Sequence, residues 1–545
     1  MSSTSATTDA GARLLADYDR AAAATTEAQA RAALLGALSA LDEGAWLDCA
    51  QRCVLRGRAD LAIAVLREAS ARFAQSASLA FALAGLYRSG GRDAETELLL
   101  RRVLAARPGD AAAALMLAEL LRSAAKTAGA AQVLRACFHA QRQSPEILIR
   151  AMELLDDCER KADAAALAEE EIARGSIDPR IHAYAASYLI QLGEFATARE
   201  RYRFAYAHSA QAAEWDVPFG LASAQRYVDK QHADFALFAS CLARSDLSAR
   251  ARTTLLFALG KACDDVGDIA QASKHFGAAN ELARSLWPWS RKQFRRSIDA
   301  RMQAPPIPAR TVHNDAFVPV FIVGAPRSGT TLAAQLLSRR AQVCNRGESR
   351  WIWALSQKLP PGGNVGGRLL DALAREYELQ TRQDDAGSAR WFIDKQPLNL
   401  LHVGLIMALF PQARIVYCVR NARDTALSLW TQFFRETTYA FAYDFADIAA
   451  LLQGCERVMA HWQKRHADSI RVLRYEQLAA DPQTQIDALA QWLDLPRDDG
   501  EAGGSESAIG TASVWQARQP VYTRSIGRWR AYAEVLPELL QLPDR

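Results

Sequence analysis

No cysteine pair in this chain has the C-x-x-C spacing of a zinc site or a redox dithiol, and the nine cysteines are scattered and odd in number. Cys49 and Cys53 lie four apart, neighbours on a helix that read as buried thiols rather than a metal pair. The sequence therefore predicts no metal site, and thiols kept reduced as in a cytoplasm. No stretch reaches the roughly 18 apolar residues that a membrane helix needs. The start, MSSTSATTDAG, lacks the basic-then-apolar order of a secretory signal. The expectation is a cytoplasmic protein with no membrane span. Neither sign of charge dominates: 65 Lys and Arg against 61 Asp and Glu give +4 over 545 residues. That is too little for a general polyanion-binding surface, so no nucleic-acid partner is expected. Half the residues are hydrophobic and 23% are charged, which suits a globular chain. The length predicts two or more domains.

The first half also lacks strand signal. From about residue 40 to 285 it is rich in alanine and leucine at helical spacing. A period of 34 residues runs through it. Gly57, Gly91, Ala125, Glu159 and Gly193 share one register, and Ala94, Ala128, Ala162 and Ala196 share another three residues on. Small residues let two helices of a hairpin cross closely, and glycine suits the turn between them. This repeat resembles the tetratricopeptide (TPR) family. The resemblance implies a superhelix whose concave face holds a protein or peptide. A further unit, "GDIAQASKHFGAANELA" from Gly267, is out of phase by a few residues. The three prolines of "APPIPAR" (304–310) stop the helices and place a boundary at 300–315. The expected domains are an N-terminal segment 1–40, a repeat domain 41–300 and a second domain 315–545.

After 315 strands and helices alternate: "AFVPVFIVG", "RWFIDK", "ARIVYCVR" and "IRVLRYEQL" read as strands with helices between them. That pattern predicts a parallel sheet whose ligands sit beyond the carboxyl ends of the strands. The first strand runs into Gly324-Ala-Pro-Arg-Ser-Gly329-Thr330-Thr331, which has P-loop spacing but Thr330 where a P-loop has lysine. A polyphosphate kinase or NTPase needs that lysine and an acidic magnesium ligand. A loop without it still offers amides, a helix N-terminus and hydroxyls to a single 5′-phosphate. Arg420 ends another strand and Ser428 follows eight residues later in a helix, a spacing that brings both to one anion.

These two features together resemble sulfotransferases, whose donor is 3′-phosphoadenosine-5′-phosphosulfate (PAPS). The resemblance covers about 315–535. It implies 5′-phosphosulfate binding by Arg327, Ser328, Gly329, Thr330 and Thr331, and 3′-phosphate binding by Arg420 and Ser428. Glu348 matches the general base of the tyrosylprotein branch, where cytosolic relatives use histidine, and His402 is the next candidate. Lys395 matches a lysine that stabilises the leaving phosphate, with Arg327 sharing that work. A salt bridge of Lys395 with adjacent Asp394 is the plainer alternative, although on a strand the two point to opposite faces. Ser513 matches a serine near the transferred group, Tyr475 a tyrosine beside the nucleotide, and Gly527-Arg528-Trp529 a turn that closes over it. The loop "DDGEAGGSES" (498–507) is a hinge for that closure or a plain linker. The fold expected is an α-helical TPR superhelix followed by a P-loop-like α/β sulfotransferase domain. The function implied is sulfuryl transfer from PAPS, without metal, to a tyrosine of a protein recruited by the repeats. The alternatives are a small-molecule or glycan acceptor, and a scaffold with a non-catalytic nucleotide-binding domain.

Overall fold

The computed structural model describes residues 4–311, 314–360, 365–383, 389–434, 437–496 and 523–544, with side chains from residue 11. The expected combination of a helical repeat and a parallel-sheet domain is present. The chain divides into two compact units, 1–163 and 164–545.

The first unit opens with the helices α1 (Thr4–Ala24) and α2 (Glu27–Leu38). The hairpins α3/α4 (Glu43–Leu55, Ala59–Arg72), α5/α6 (Ala77–Ser89, Asp93–Ala106) and α7/α8 (Ala111–Ser123, Thr127–Ala140) follow, and then α9 (Pro145–Asp157). Successive first helices start 34 residues apart, as the sequence register requires. Three of these starts are capped the same way. Asp42, Ser76 and Asp110 accept a hydrogen bond from the amide three residues on, and at Ser144 a proline in the first turn takes over. Each turn closes on a left-handed residue, Gly57, Gly91, Ala125 or Glu159. The next amide bonds back across the turn, as from Arg92 N to the Tyr87 carbonyl at 2.8 Å. Alanines and leucines fill the spaces between helices, and Cys49 and Cys53 are fully buried among them as free thiols.

The second unit begins within α10 (Lys161–Ala173) and continues the 34-residue spacing with α11 (Pro179–Leu192) and α12 (Phe195–His208). The irregular stretch that follows carries α13 (Val217–Ser223) and α14 (Ala233–Leu242). A last hairpin, α15 (Ala249–Asp265) and α16 (Ile269–Leu286), again turns on a left-handed glycine, Gly267. Its first helix is longer than the earlier ones, which puts "GDIAQASKHF" out of phase. α17 (Arg291–Gln303) precedes the prolines.

Five parallel strands follow: β1 (Val318–Gly324), β2 (Val343–Asn345), β3 (Trp391–Asp394), β4 (Arg414–Val419) and β5 (Ile470–Arg474), in the order β2-β3-β1-β4-β5. β1 is central, so its run of apolar residues is buried on both faces. Val320, Ile322, Val416 and Cys418 pack on one face against α18 (Thr330–Leu337) and α25 (Pro482–Trp492). Phe321, Val323, Ile415 and Tyr417 face the other core. The remaining helices are α19 (Trp351–Gln357), α20 (Gly367–Arg382), α21 (Val403–Leu409), α22 (Ala422–Trp430), α23 (Phe445–Arg465) and α24 (Tyr475–Ala480).

The core on the second face does not stop at the prolines. Phe257, Phe276 and Ile298, from α15, α16 and α17, belong to the same apolar cluster as Phe321, Phe392 and Tyr443. Phe257 meets Phe433 and Tyr443 with ring centroids 5.7 and 6.1 Å apart, and Asn280 donates to the Trp430 carbonyl at 3.0 Å. The last helical hairpin is thus built into the body of the sheet domain.

Candidate active site at the strand ends

Every strand delivers a candidate residue at its carboxyl end. β1 leads into the loop 324–331, β2 into Glu348, β3 into Lys395, β4 into Arg420 and β5 into Tyr475. The parallel topology explains why residues as far apart in sequence as Gly324 and Tyr475 belong to one row.

The loop is shaped by crowding. A side-chain carbon on Gly324 would lie 2.4 Å from the Cys418 carbonyl oxygen, and one on Gly329 would lie 2.5 Å from the Tyr475 ring. Arg327 and Gly329 both have positive φ, 74° and 95°, which turns the chain sharply into the N-terminus of α18. Thr330 and Thr331 begin that helix. Among the described residues the buried Ser328 hydroxyl meets no hydrogen-bond partner, and neither does Nε of Arg420. Buried donors in a native site are normally satisfied, so a loop with an unmatched hydroxyl suits an oxygen-rich anion such as the phosphosulfate of PAPS.

Arg420 and Ser428 meet the same loop residue. Arg327 donates from Nε to Ser428 Oγ at 2.8 Å, and Arg420 donates to the Arg327 carbonyl at 3.2 Å. The Arg420 guanidinium lies 4.6 Å from the centre of the Tyr475 ring and donates to the Ser525 carbonyl at 2.7 Å. The Tyr475 hydroxyl is 2.6 Å from Ser525 Oγ.

Glu348 and Lys395, 47 residues apart, are in direct contact. Lys395 Nζ donates to Glu348 Oε1 at 2.5 Å, with the side chains 4% and 18% exposed. The left-handed Gly347 makes this approach, and its carbonyl accepts from Lys395 N at 2.8 Å. Asp394 is not the partner of Lys395. It faces inward and accepts from Ser349 Oγ, Tyr377 Oη and Asn399 Nδ2 at 2.8, 3.0 and 3.1 Å. Burial raises the Asp394 carboxyl to about 7 despite these bonds. His402 is a neutral imidazole: burial, then the charge of Arg301, lowers it to about 4.

The C-terminal turn is held by a residue that spacing alone did not single out. Asp424, in the first turn of α22, is buried and accepts from Gly527 N at 2.6 Å and Trp529 N at 3.0 Å. Its signal was its place four residues after Arg420. Arg528 donates to Asp264 of α15. Ser513 and the segment 498–507 lie outside the described residues. Among the described residues there is no cluster of three or more His, Cys, Asp or Glu able to hold a metal ion, and no helix is long and apolar enough to cross a membrane.

Residues 319–499 match the model of the Sulfotransferase family. An uncharacterized protein of Aquifex aeolicus is 28% identical over 314 residues, covering 53% of this chain and 41% of its own length. Protein-tyrosine sulfotransferase 1 of Danio rerio is 25% identical over 243 residues, covering 40% of this chain and 67% of that protein. The chain therefore spans less than half of the first relative's length. Among solved structures, the sulfotransferase domain of the Synechococcus PCC 7002 olefin synthase is 18% identical, with a TM-score of 0.30, covering 43% of this chain and 96% of that one. The sheet and its row of strand-end residues lie in the part of the chain that matches the Sulfotransferase family.

Proposed function

We propose that the protein transfers the sulfuryl group of PAPS to a hydroxyl, with a tyrosine of a protein or peptide as the acceptor. The observation that carries this reading is the Lys395–Glu348 contact in the same strand-end row as the loop 324–331. A base and a cation side by side, next to an anion cradle, are what in-line transfer from a phosphosulfate requires.

PAPS would supply a sulfuryl group already bonded to a good phosphate leaving group. Ser328, Thr330, Thr331 and the loop amides hold its 5′ end, and Arg420 with Ser428 holds its 3′-phosphate. Glu348 takes the proton of the acceptor hydroxyl as that oxygen bonds to sulfur. The bond from sulfur to the bridging oxygen breaks, and its electron pair stays on the phosphate. Lys395 and Arg327 face that charge. Asp394, tied to Ser349, Tyr377 and Asn399, fixes the strand end from which Lys395 projects. The tyrosine acceptor is supported by the glutamate base and by the similarity to a protein-tyrosine sulfotransferase. The helical repeats supply a surface for the acceptor protein.

Glu348→Gln keeps the shape and removes the basicity. It is expected to bind PAP, the product that keeps the 3′-phosphate, normally and to lose about 10²-fold or more in turnover of labelled PAPS with a tyrosine peptide. Near-normal turnover would remove Glu348 from the reaction. Transfer by the wild type to sugars but not to phenols would replace tyrosine as the acceptor.

A further inference from the structure

One carboxylate outside the strand-end row reaches the C-terminal turn from far away in sequence. Asp264 is the penultimate residue of α15, in the last helical hairpin. Its Oδ2 accepts from Arg528 at 2.5 Å and its Oδ1 from the Tyr532 hydroxyl at 2.5 Å. The three side chains are largely buried: Asp264 is 19% exposed, Arg528 29%, and Tyr532 not at all. Burial, then the Asp264 carboxylate, push the Tyr532 phenol above its ordinary range, so the hydroxyl stays a donor.

The opposite flank of the same turn is tied to the site. Asp424 accepts from the amides of Gly527 and Trp529, and Ser525 is bonded by both Arg420 and Tyr475. The segment from Ser525 to Tyr532 is therefore strung between the strand ends and the helical hairpin. Backbone bonds hold it on one side, and a charged fork holds it on the other.

We infer that Asp264 is a positioning residue for the nucleotide site. By fixing Arg528 and Tyr532 it keeps the 525–529 turn against Arg420, and so makes the last repeat hairpin a working part of nucleotide binding. This rests on the reading that Arg420 holds the 3′-phosphate. Without Asp264, Arg528 and Tyr532 lose their shared acceptor and the turn spends less time closed. Apparent affinity falls by the fraction of time lost. The loss is selective: it falls on ligands that carry a 3′-phosphate, because the turn acts through Arg420.

The test is calorimetry of PAP and AMP on the full chain, with PAPS kinetics beside it. In Asp264→Asn, PAP affinity is expected to drop about 10-fold, the loss of one charge-assisted contact. AMP affinity should stay within about twofold. The KM for PAPS should rise while kcat at saturation holds. Tyr532→Phe, which removes one of the two bonds, should show the same selectivity at smaller size. Asp264→Glu should recover part of the loss. Unchanged PAP affinity in Asp264→Asn overturns the inference, and so does an equal loss for PAP and AMP alongside a lowered melting temperature. A wild type that binds PAP no better than AMP would sink the nucleotide reading itself, before any variant is made.

Discussion

The hairpin turns of the repeats and the loop at the end of β1 both rely on glycine, for different reasons. Gly57 and Gly91 have positive φ, yet a side-chain carbon at either would meet nothing within 4 Å. There the requirement is conformational alone, and the chain relaxes it twice, with Ala125 and Glu159 in the same register at φ 62° and 58°. At the strand end space is required as well, since Gly329 also has a φ of 95°. Gly324 and Gly329 have no room for a carbon, while Arg327, with φ 74°, keeps a side chain that donates to Ser428. The same contrast holds for polarity. Among the described residues of the first unit Thr96 alone is a buried polar side chain, whereas the site buries Asp394, Lys395, Asp424 and Ser428. One region is built to be stacked, and the other to hold charge in a fixed place.

The sharpest way to break this contrast is Gly324→Ala. The new carbon must displace the β4 backbone or the Ser328 side chain, an overpacking cost of about 1–3 kcal/mol. PAP affinity, measured by calorimetry, is expected to fall by about 10- to 100-fold. A variant that binds PAP as the wild type does would show that the loop has slack.

A second effect separates the regions by pH. Burial raises Asp394 to about 7 in the folded state, above its unfolded value. The folded chain therefore holds a proton that the unfolded chain has released. The stability this contributes is complete below the unfolded value and is lost as pH rises through about 7. Urea unfolding of the wild type between pH 4 and 8 should show that loss relative to Asp394→Asn, which has no proton to lose. Parallel curves for the two proteins would mean that Asp394 ionises as readily folded as unfolded.

The smallest effect belongs to the repeats. Gly91→Ala should cost about 1 kcal/mol of stability, the strain of a left-handed alanine with no clash to add. It should leave PAP affinity unchanged. A much larger loss in thermal unfolding would mean that the turn is packed as tightly as the site.

Much of this was legible in the sequence because it is local. The 34-residue register located each turn before any helix was seen. The strand–turn–helix pattern put Arg327, Lys395 and Arg420 at strand ends, while Glu348 and Tyr475 rested on the family resemblance. What sequence spacing does not carry is the identity of a distant partner. Asp264 lies 264 residues from Arg528, at an ordinary helix end. Asp394 reads as a neighbour of Lys395 but bonds to Tyr377, 17 residues back on another element. β2 is three residues long, too short for an alternation pattern to form. The joining of α15 to α17 with the sheet core was hidden because the prolines at 304–310 mark where helix stops, which is not where packing stops.

The central claim is a strand-end site built for two separate anions, the 5′-phosphosulfate on the loop and a 3′-phosphate on Arg420. Titration calorimetry of PAP and AMP, on the wild type and on Arg420→Ala, tests it most directly. The account predicts that the wild type binds PAP far more tightly than AMP, and that Arg420→Ala removes most of the difference, about 2–3 kcal/mol for a charge-assisted contact. Equal affinity of the wild type for the two nucleotides would contradict it.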